Sequence, residues 1–295
     1  MISVLIPCHN YNPKRLLAAL QKERDKNNLT IEILLWDDAS NEQYKSIIEE
    51  LSFTFNCSYK RFDKNQGRAS IRNQLGEAAS YENLLFLDCD GLPEFDDFLS
   101  NYLRVINEYD LVVGGRSYTT KRPNHSYYLH WKYGSKREVK NAKKRNRNPF
   151  FGFQSNNFYI KKDVFLDNLF DENFSGYGHE DTIFGARLKE RQIKLLHIDN
   201  PVRHLGLQRR SVFLEKSIEA AEQLADFINQ GRLTTDDSSM TKFFYRLKKW
   251  RLWRLYMLGI SMRMPYIHRH LMKKREPSLF LLDLYRLFFF GCKMP

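Results

Sequence analysis

Apolar and polar positions alternate in blocks along the first 115 residues. The runs SVLIP (3–7), IEILLW (31–36), LLFLD (84–88) and LVVGG (111–115) are short, apolar and rich in branched residues, and they predict buried strands. CSYKRF (57–62) predicts a weaker strand. Between them the segments 13–26, 41–51, 66–80 and 95–108 have the length and polarity of helices. Strands alternating with helices imply βαβ units and a mostly parallel sheet covered on both faces, so the expected class is α/β and Rossmann-like. Right-handed crossovers then align the strand C-termini along one edge, where ligands of such sheets bind. Further on, SNNFYI (155–160) and IKLLHI (193–198) predict strands. Helices are expected from Lys161, within 176–192 after a glycine-rich turn, and over 211–230.

Polar residues collect at the expected strand ends. The first strand leads into Pro7-Cys8-His9-Asn10, the second into Asp37-Asp38-Ala39-Ser40, and the fourth into Asp88-Cys89-Asp90. In extended backbone Asp88 and Asp90 share a face while Cys89 turns away. Two converging carboxylates repel unless a cation sits between them. Hard divalent ions, Mg²⁺ or Mn²⁺, take such oxygen ligands together with a substrate's phosphates. The plainer alternative is a pair of turn or cap aspartates before Gly91 and Pro93. Asp37 and Asp38 divide in the same way, between helix capping and accepting a hydrogen bond from a base or ribose. Arg68 and Arg72 lie four apart on one helix face, where guanidinium forks suit phosphate or carboxylate, although solvated helix arginines look the same. In GYGHED (176–181), Gly176 and Gly178 permit close approach to a ligand. Glu180 and Asp181 fall in the first helical turn, where the helix dipole favours the ionised, basic form. Simple acidic capping is the alternative. His204 follows a strand; a lone histidine is more often structural, yet it is a candidate third metal ligand.

Charge changes the picture more than composition does. The total is +12, but residues 116–149 carry +10 and residues 242–275 carry +11, leaving the rest of the chain at −9. An acidic body thus bears two basic segments, and the expected organisation is one main α/β domain over 1–230, with 116–150 a basic mobile excursion. A linker over 231–241 and a basic, aromatic helical tail over 242–295 complete the chain. The tail mixes tryptophan, arginine and leucine in FFYRLKKWRLWRLYML (243–258), which suits an anionic bilayer surface without forming a clean amphipathic helix. No run of 18 apolar residues is present and the N-terminus lacks a signal-peptide pattern. The four cysteines form no CxxC pair, as expected of free thiols in a reducing cytoplasm. The basic segments with interleaved aromatics also admit a nucleic-acid binder, but the acidic remainder and the lack of any such module argue against that partner. No GxGxxG, Walker or GxSxG motif is present, which disfavours dinucleotide oxidoreductase, P-loop and serine hydrolase classes.

Taken in order, SVLIPCHNYN, ILLWDDAS, NQGRASIRN, LLFLDCDG, SNNFYIKKDVF and GYGHEDTIFGARL resemble a family-2 glycosyltransferase of the GT-A type over about residues 1 to 206. The resemblance implies a GT-A fold and metal-dependent, inverting transfer of a hexose or N-acetylhexosamine. The donor would be a nucleotide sugar, taken as UDP-linked, and the acceptor a hydroxyl of a glycan or lipid-linked chain in surface polysaccharide synthesis. It implies nucleotide-sugar contacts from Pro7, Cys8, Asn10, Asp37, Asp38, Arg72 and Asp88, with Mn²⁺ or Mg²⁺ held by Asp88, Asp90 and His204. Asp181 would be the catalytic base and Glu180 would hold sugar hydroxyls. A non-catalytic domain that only binds nucleotide sugar or a partner is the alternative. Two departures are Cys8, where a small hydroxyl residue is common, and Gly91, where a polar residue is common. Location is expected in the cytoplasm, peripheral on the inner face of the membrane.

Overall fold

A computed structural model describes residues 1–172 and 178–295. Seven strands form the central sheet: β1 (Ile2–Cys8), β2 (Ile31–Asp37), β3 (Ser58–Arg61), β4 (Asn83–Leu87), β6 (Leu111–Val113), β8 (Asn157–Lys161) and β9 (Leu195–His197). A small second sheet holds β5 (Gly91–Pro93), β7 (Arg116–Ser117) and β10 (Val202–His204). The central order is β3-β2-β1-β4-β8-β6-β9. Every pairing is parallel except those of β8, which runs antiparallel to β4 and β6. This is the mostly parallel α/β sheet that the sequence pattern predicts.

The reason for the pattern is burial on both faces. Ile2, Val4 and Ile6 of β1 point into a core with Leu16, Leu17, Leu20 and Ile48, while Leu5 points to the opposite side with Leu34, Phe86 and Phe158. Each such side chain removed from water contributes about 1.5–3 kcal/mol. Helix Glu42–Thr54 begins where the Asn41 side chain accepts from the Tyr44 N–H, and helix Arg68–Ala78 starts after Gly67, whose φ of 82° few other residues adopt. The helix expected over 95–108 contracts to Phe98–Leu103, and LVVGG yields only the three residues of β6. Gly114 explains the break: a Cβ there would collide with Tyr102, Asn157 and the carbonyl of Asn200.

The small sheet brings distant parts of the sequence together. In its register His204 of β10 lies opposite Gly91 of β5, immediately after Asp88-Cys89-Asp90. Residues over a hundred positions apart are thereby neighbours.

The basic stretch 116–150, read from composition as an excursion, is built into the body. Tyr118, Tyr128 and Leu129 are buried, and Arg145 donates to the carbonyls of Val113, Gly114 and Ile198 at the sheet edge. Composition misses this because the basic side chains cover the surface while the aromatic ones pack inward. The C-terminal stretch folds into helices Ser239–Lys249, Trp253–Ser261, Met264–Lys273 and Leu279–Lys293. They close on the long helix Arg210–Asn229 through Leu224, Phe244, Leu287 and Phe290, and through Phe213, Ile267, Leu271 and Leu282. Within 231–241, Leu233 and Thr241 are buried. The single helical wheel over 243–258 does not exist, because Arg251 takes a φ of 57° and breaks the run. Among the described residues no helix is long and apolar enough to cross a membrane.

Candidate active site

The loop after β1 and the loop after β2 are tied together. Cys8 is buried and its carbonyl accepts the Asp38 N–H at 2.8 Å. Asn10 receives the Asn41 N–H on its side chain and gives its own N–H to Ser40, both at 2.8 Å. Pro7 is half-buried beside them. The two aspartates of β2 differ. Asp37 is 0% exposed; one oxygen accepts the Ser40 N–H at 2.9 Å and the other faces Arg61 at 3.4 Å. Inside the fold, it shapes the turn. Asp38 accepts the Gln66 N–H at 2.6 Å, and its carbonyl takes Asn65, so it orders the loop that launches helix Arg68–Ala78. Burial raises the Asp38 pKa, and Asp37 adds to the rise, against the pull of the Gln66 and Gly67 N–H groups and His9.

That helix then sends two arginines across to the other strand ends. Arg72, 2% exposed, pairs with Asp88 at 2.7 Å. Arg68 pairs with Glu180 at 3.3 Å. Their fields cross as well: Arg72 acts on Asp181 and Arg68 on Asp90. The carboxylates after β4 and those opening helix Glu180–Glu190 therefore border one cleft. Asn73, on the same helix, is spoken for structurally by Phe170 and Glu172.

Asp90 and His204 meet across the small sheet, Oδ2 to Nε2 at 3.1 Å. Gly206 makes this possible, since a side chain there would strike the Asp90 carboxylate. Burial alone lifts the Asp90 carboxyl, but the His204 hydrogen bond and charge, with Arg116 and Arg68 behind them, overcome it, and the group ends below the ordinary range. The Nδ1 of His204 is buried and unpartnered among the described groups. Two ligands on an octahedral ion with ~2.1 Å bonds sit ~3 Å apart when adjacent, so the Asp90–His204 spacing suits a hard divalent cation. Asp88 stands differently: Arg72 holds it, and among the described residues no three His, Cys, Asp or Glu groups converge as a ready cage. The expected three-ligand set is thus two groups together and one engaged elsewhere.

At the opposite wall, His179 takes a φ of 68° and opens helix Glu180–Glu190. Asp181 accepts the Ser155 N–H at 3.0 Å on one oxygen; its other oxygen is buried without a partner among the described groups. The dipole of the first helical turn favours ionisation, but burial wins. Burial and then the neighbouring Glu180 raise the Asp181 pKa, against Arg72 and Ser155. Glu180 likewise keeps one buried oxygen without a hydrogen-bond partner among them. Gly176, expected to permit close approach to a ligand, lies outside the described residues.

A model of glycosyl transferase family 2 matches residues 3–166, more than half of the chain. The chain belongs to glycosyl transferase family 2. Among curated relatives, a chondroitin synthase of Escherichia coli is 27% identical over 226 residues, covering 63% of this chain and 32% of the relative. The family-2 chain spans less than half the length of the curated relatives it matches. Among solved structures, a mannosyltransferase of Pyrobaculum calidifontis in complex with GDP-Man and Mn²⁺ superposes with a TM-score of 0.61 at 14% identity, covering 99% of this chain and 86% of that one. Residues 1–349 of S. aureus TarS with UDP-GlcNAc give 0.52 at 17%, covering 97% and 90%. These likenesses establish the GT-A fold.

Several groups of the family-2 cleft carry no sequence signal. His130 lies against His204, ring centroids 5.3 Å apart, and stacks on Phe213 at 4.7 Å; burial lowers its pKa to about 4, so it stays neutral. Arg116, Tyr118 and Glu138 form a buried ionic cluster beneath it, with Glu138 accepting at 3.0 Å from Arg116 and 2.5 Å from Tyr118. Only the folding of 118–150 back on β7 creates that cluster. The position of Ser155 at the start of a predicted strand is the one hint that its N–H could matter.

Proposed function

We propose that this chain transfers a hexose or N-acetylhexosamine from a nucleotide sugar, UDP-linked in the first instance, to a hydroxyl of a glycan or lipid-linked acceptor, with inversion, in surface polysaccharide synthesis. The observation that carries the reading is the pairing of opposites across one cleft: a depressed, imidazole-bound Asp90 on one wall and an elevated, half-satisfied Asp181 on the other. Family membership supports it, as do neighbours of the same fold solved with GDP-Man and Mn²⁺ and with UDP-GlcNAc.

In this mechanism Asp181 takes the proton of the acceptor hydroxyl as its oxygen forms a bond to the anomeric carbon. The bond from that carbon to the diphosphate oxygen breaks, and the diphosphate leaves with the electron pair. The raised pKa makes Asp181 a stronger base than an ordinary aspartate. In this reading its oxygen without a hydrogen-bond partner among the described groups receives the proton. Glu180, held by Arg68, orients sugar hydroxyls. Asp38 contacts the base, Asp37 supports it from within, and Pro7, Cys8 and Asn10 hold the loop against which the nucleoside lies. Arg72 and Asp88 form a fixed pair beside the ribose. Mn²⁺ or Mg²⁺ on Asp90 and His204 would supply positive charge to the departing diphosphate.

A panel of nucleotide sugars, each with and without Mn²⁺, tests the reading through release of nucleoside diphosphate. Metal-stimulated turnover of one donor is expected. Nucleotide binding with no turnover of any donor and any acceptor would leave the non-catalytic binding domain as the better description.

We further propose that the chain rests on the anionic inner face of the membrane. Outward-facing Trp250, Leu252, Leu255, Leu258, Met262 and Tyr266 are 42–76% exposed, and Lys248, Lys249, Arg251, Arg254 and Arg263 lie among them. Exposed apolar side chains among cations match an acidic headgroup layer over hydrocarbon. Sedimentation with vesicles containing acidic lipid, lost in Leu255→Ser/Leu258→Ser, is the expected result; equal sedimentation of both proteins would refute the contact.

A further inference from the structure

Helix Arg210–Asn229, helix Leu279–Lys293 and the 116–150 stretch enclose a small cavity of about 140 Å³. Its walls are Tyr133, Glu138, Phe213, Lys216, Ala220 and Arg286, with Ser217 beside them. Two contacts fix its position. Phe213 stacks on His130, which touches His204 and so the Asp90 wall. Ala220 backs against Gly178, two residues before Glu180. The cavity therefore adjoins both the His204 side of the site and the turn that leads to Glu180.

Its lining is richer in cations than in anions. Lys216 and Arg286 bring two positive charges. The single lining carboxylate, Glu138, is already taken by Arg116 and by the Tyr118 hydroxyl. Arg286 gives one N–H to the Tyr133 hydroxyl at 3.1 Å, and its buried Nε has no hydrogen-bond partner among the described groups. Of the other acids nearby, Asp283 pairs with Arg137 and, like Glu138, also acts on Arg286, while Glu219 acts on Lys216 from the exposed helix surface. Burial and then Arg68 lower the Lys216 pKa, against the pull of Glu219. An arriving anion would offset both effects. Flat rings of Tyr133 and Phe213 line the same space.

We propose that this cavity is an acceptor subsite for an anionic group, a carboxylate or phosphate carried on the acceptor sugar, gripped by Lys216 and Arg286 beside the rings of Phe213 and Tyr133. The inference deepens the transferase reading and rests on it for the word acceptor. It also gives the C-terminal helix a direct part in substrate choice, because Arg286 belongs to that helix.

The test uses the full chain with saturating nucleoside diphosphate and Mn²⁺. Three probes are titrated by NMR: a disaccharide ending in glucuronic acid, the same disaccharide ending in glucose, and the glucose form carrying a 6-phosphate. One or both anionic probes should bind about tenfold to a hundredfold tighter than the neutral one. Which of them does so tells carboxylate from phosphate. Lys216→Gln and Arg286→Gln should each erase most of that preference, with nucleotide affinity unchanged, and Arg286→Lys should restore part of it. Lys216 sits on a half-exposed helix face, so its variant reports even where the Arg286 variant fails to fold. Equal binding of all three probes, or a preference that survives Lys216→Gln, overturns the proposal. So does a variant that weakens the nucleotide instead, which would assign the cavity to the donor. Donor hydrolysis is followed in parallel: an anion preference without any donor turnover keeps the subsite and removes the transferase reading, and the reverse result does the opposite.

Discussion

Asp90 and Asp181 face the same cleft, and burial pushes both carboxyls upward, yet they end on opposite sides of an ordinary aspartate. The difference lies in their neighbours. Asp90 has an imidazole at 3.1 Å with Arg116 and Arg68 behind it, whereas Asp181 has Glu180 beside it and one oxygen unpartnered among the described groups. Burial sets how much a neighbour matters, and the neighbour's sign sets the direction. One wall is thereby suited to gather positive charge and the other to accept a proton. Neither role follows from the aspartate alone.

The largest effect is expected from Asp181→Ala. Sugar transfer should fall about a thousandfold or more, while nucleotide affinity by titration calorimetry stays at the wild-type value. Retained transfer would move the base elsewhere. His204→Ala, on the opposite wall, should weaken Mn²⁺ stimulation of donor turnover by about tenfold to a hundredfold without lowering acceptor affinity. A His204 that only packs against His130 and Tyr118 would leave the metal titration unmoved. Arg72→Ala removes the partner of Asp88 and an attractive charge near Asp181. A loss of about 3 kcal/mol in denaturant unfolding is expected, since Asp88 is left largely buried without its cation. The smallest effect is in pH. The base must be ionised, and its pKa is raised, so activity should fall as pH drops through a value above the ordinary ~4 of an aspartate. An acid limb at or below ~4 would mean that Asp181 is not the titrating group.

The unequal legibility of these regions has a physical cause. Strands buried on both faces leave continuous apolar runs, so β1, β2 and β4 and the polar residues at their tips are readable directly. The DxD and HED stretches stand out because charges abut such runs or open a helix. His204 beside Asp90 depends on a three-stranded sheet of strands two or three residues long, too short to leave a period. Arg72 is readable as a binder of anions; that its anion is Asp88 comes from the tilt of a helix against a sheet. The sign of the Asp181 shift is not readable. The helix dipole is a local property of sequence, whereas the burial that overrides it comes from the surrounding core, helped by Glu180 and opposed by Arg72 and Ser155. In 116–150 and 242–295, high charge masks aromatic and aliphatic residues that pack inward, and the ionic cluster of Arg116, Tyr118 and Glu138 is built from three positions no motif links.

The assignment of the two walls is tested most directly by one crossed titration. Affinity for the nucleoside diphosphate released by the active donor is measured with and without Mn²⁺ in wild type, Asp90→Asn and Asp181→Asn. The metal-dependent gain should vanish in Asp90→Asn and persist in full in Asp181→Asn, with transfer lost in both. A gain that survives in Asp90→Asn, or disappears in Asp181→Asn, would contradict the division of labour on which the proposed mechanism stands.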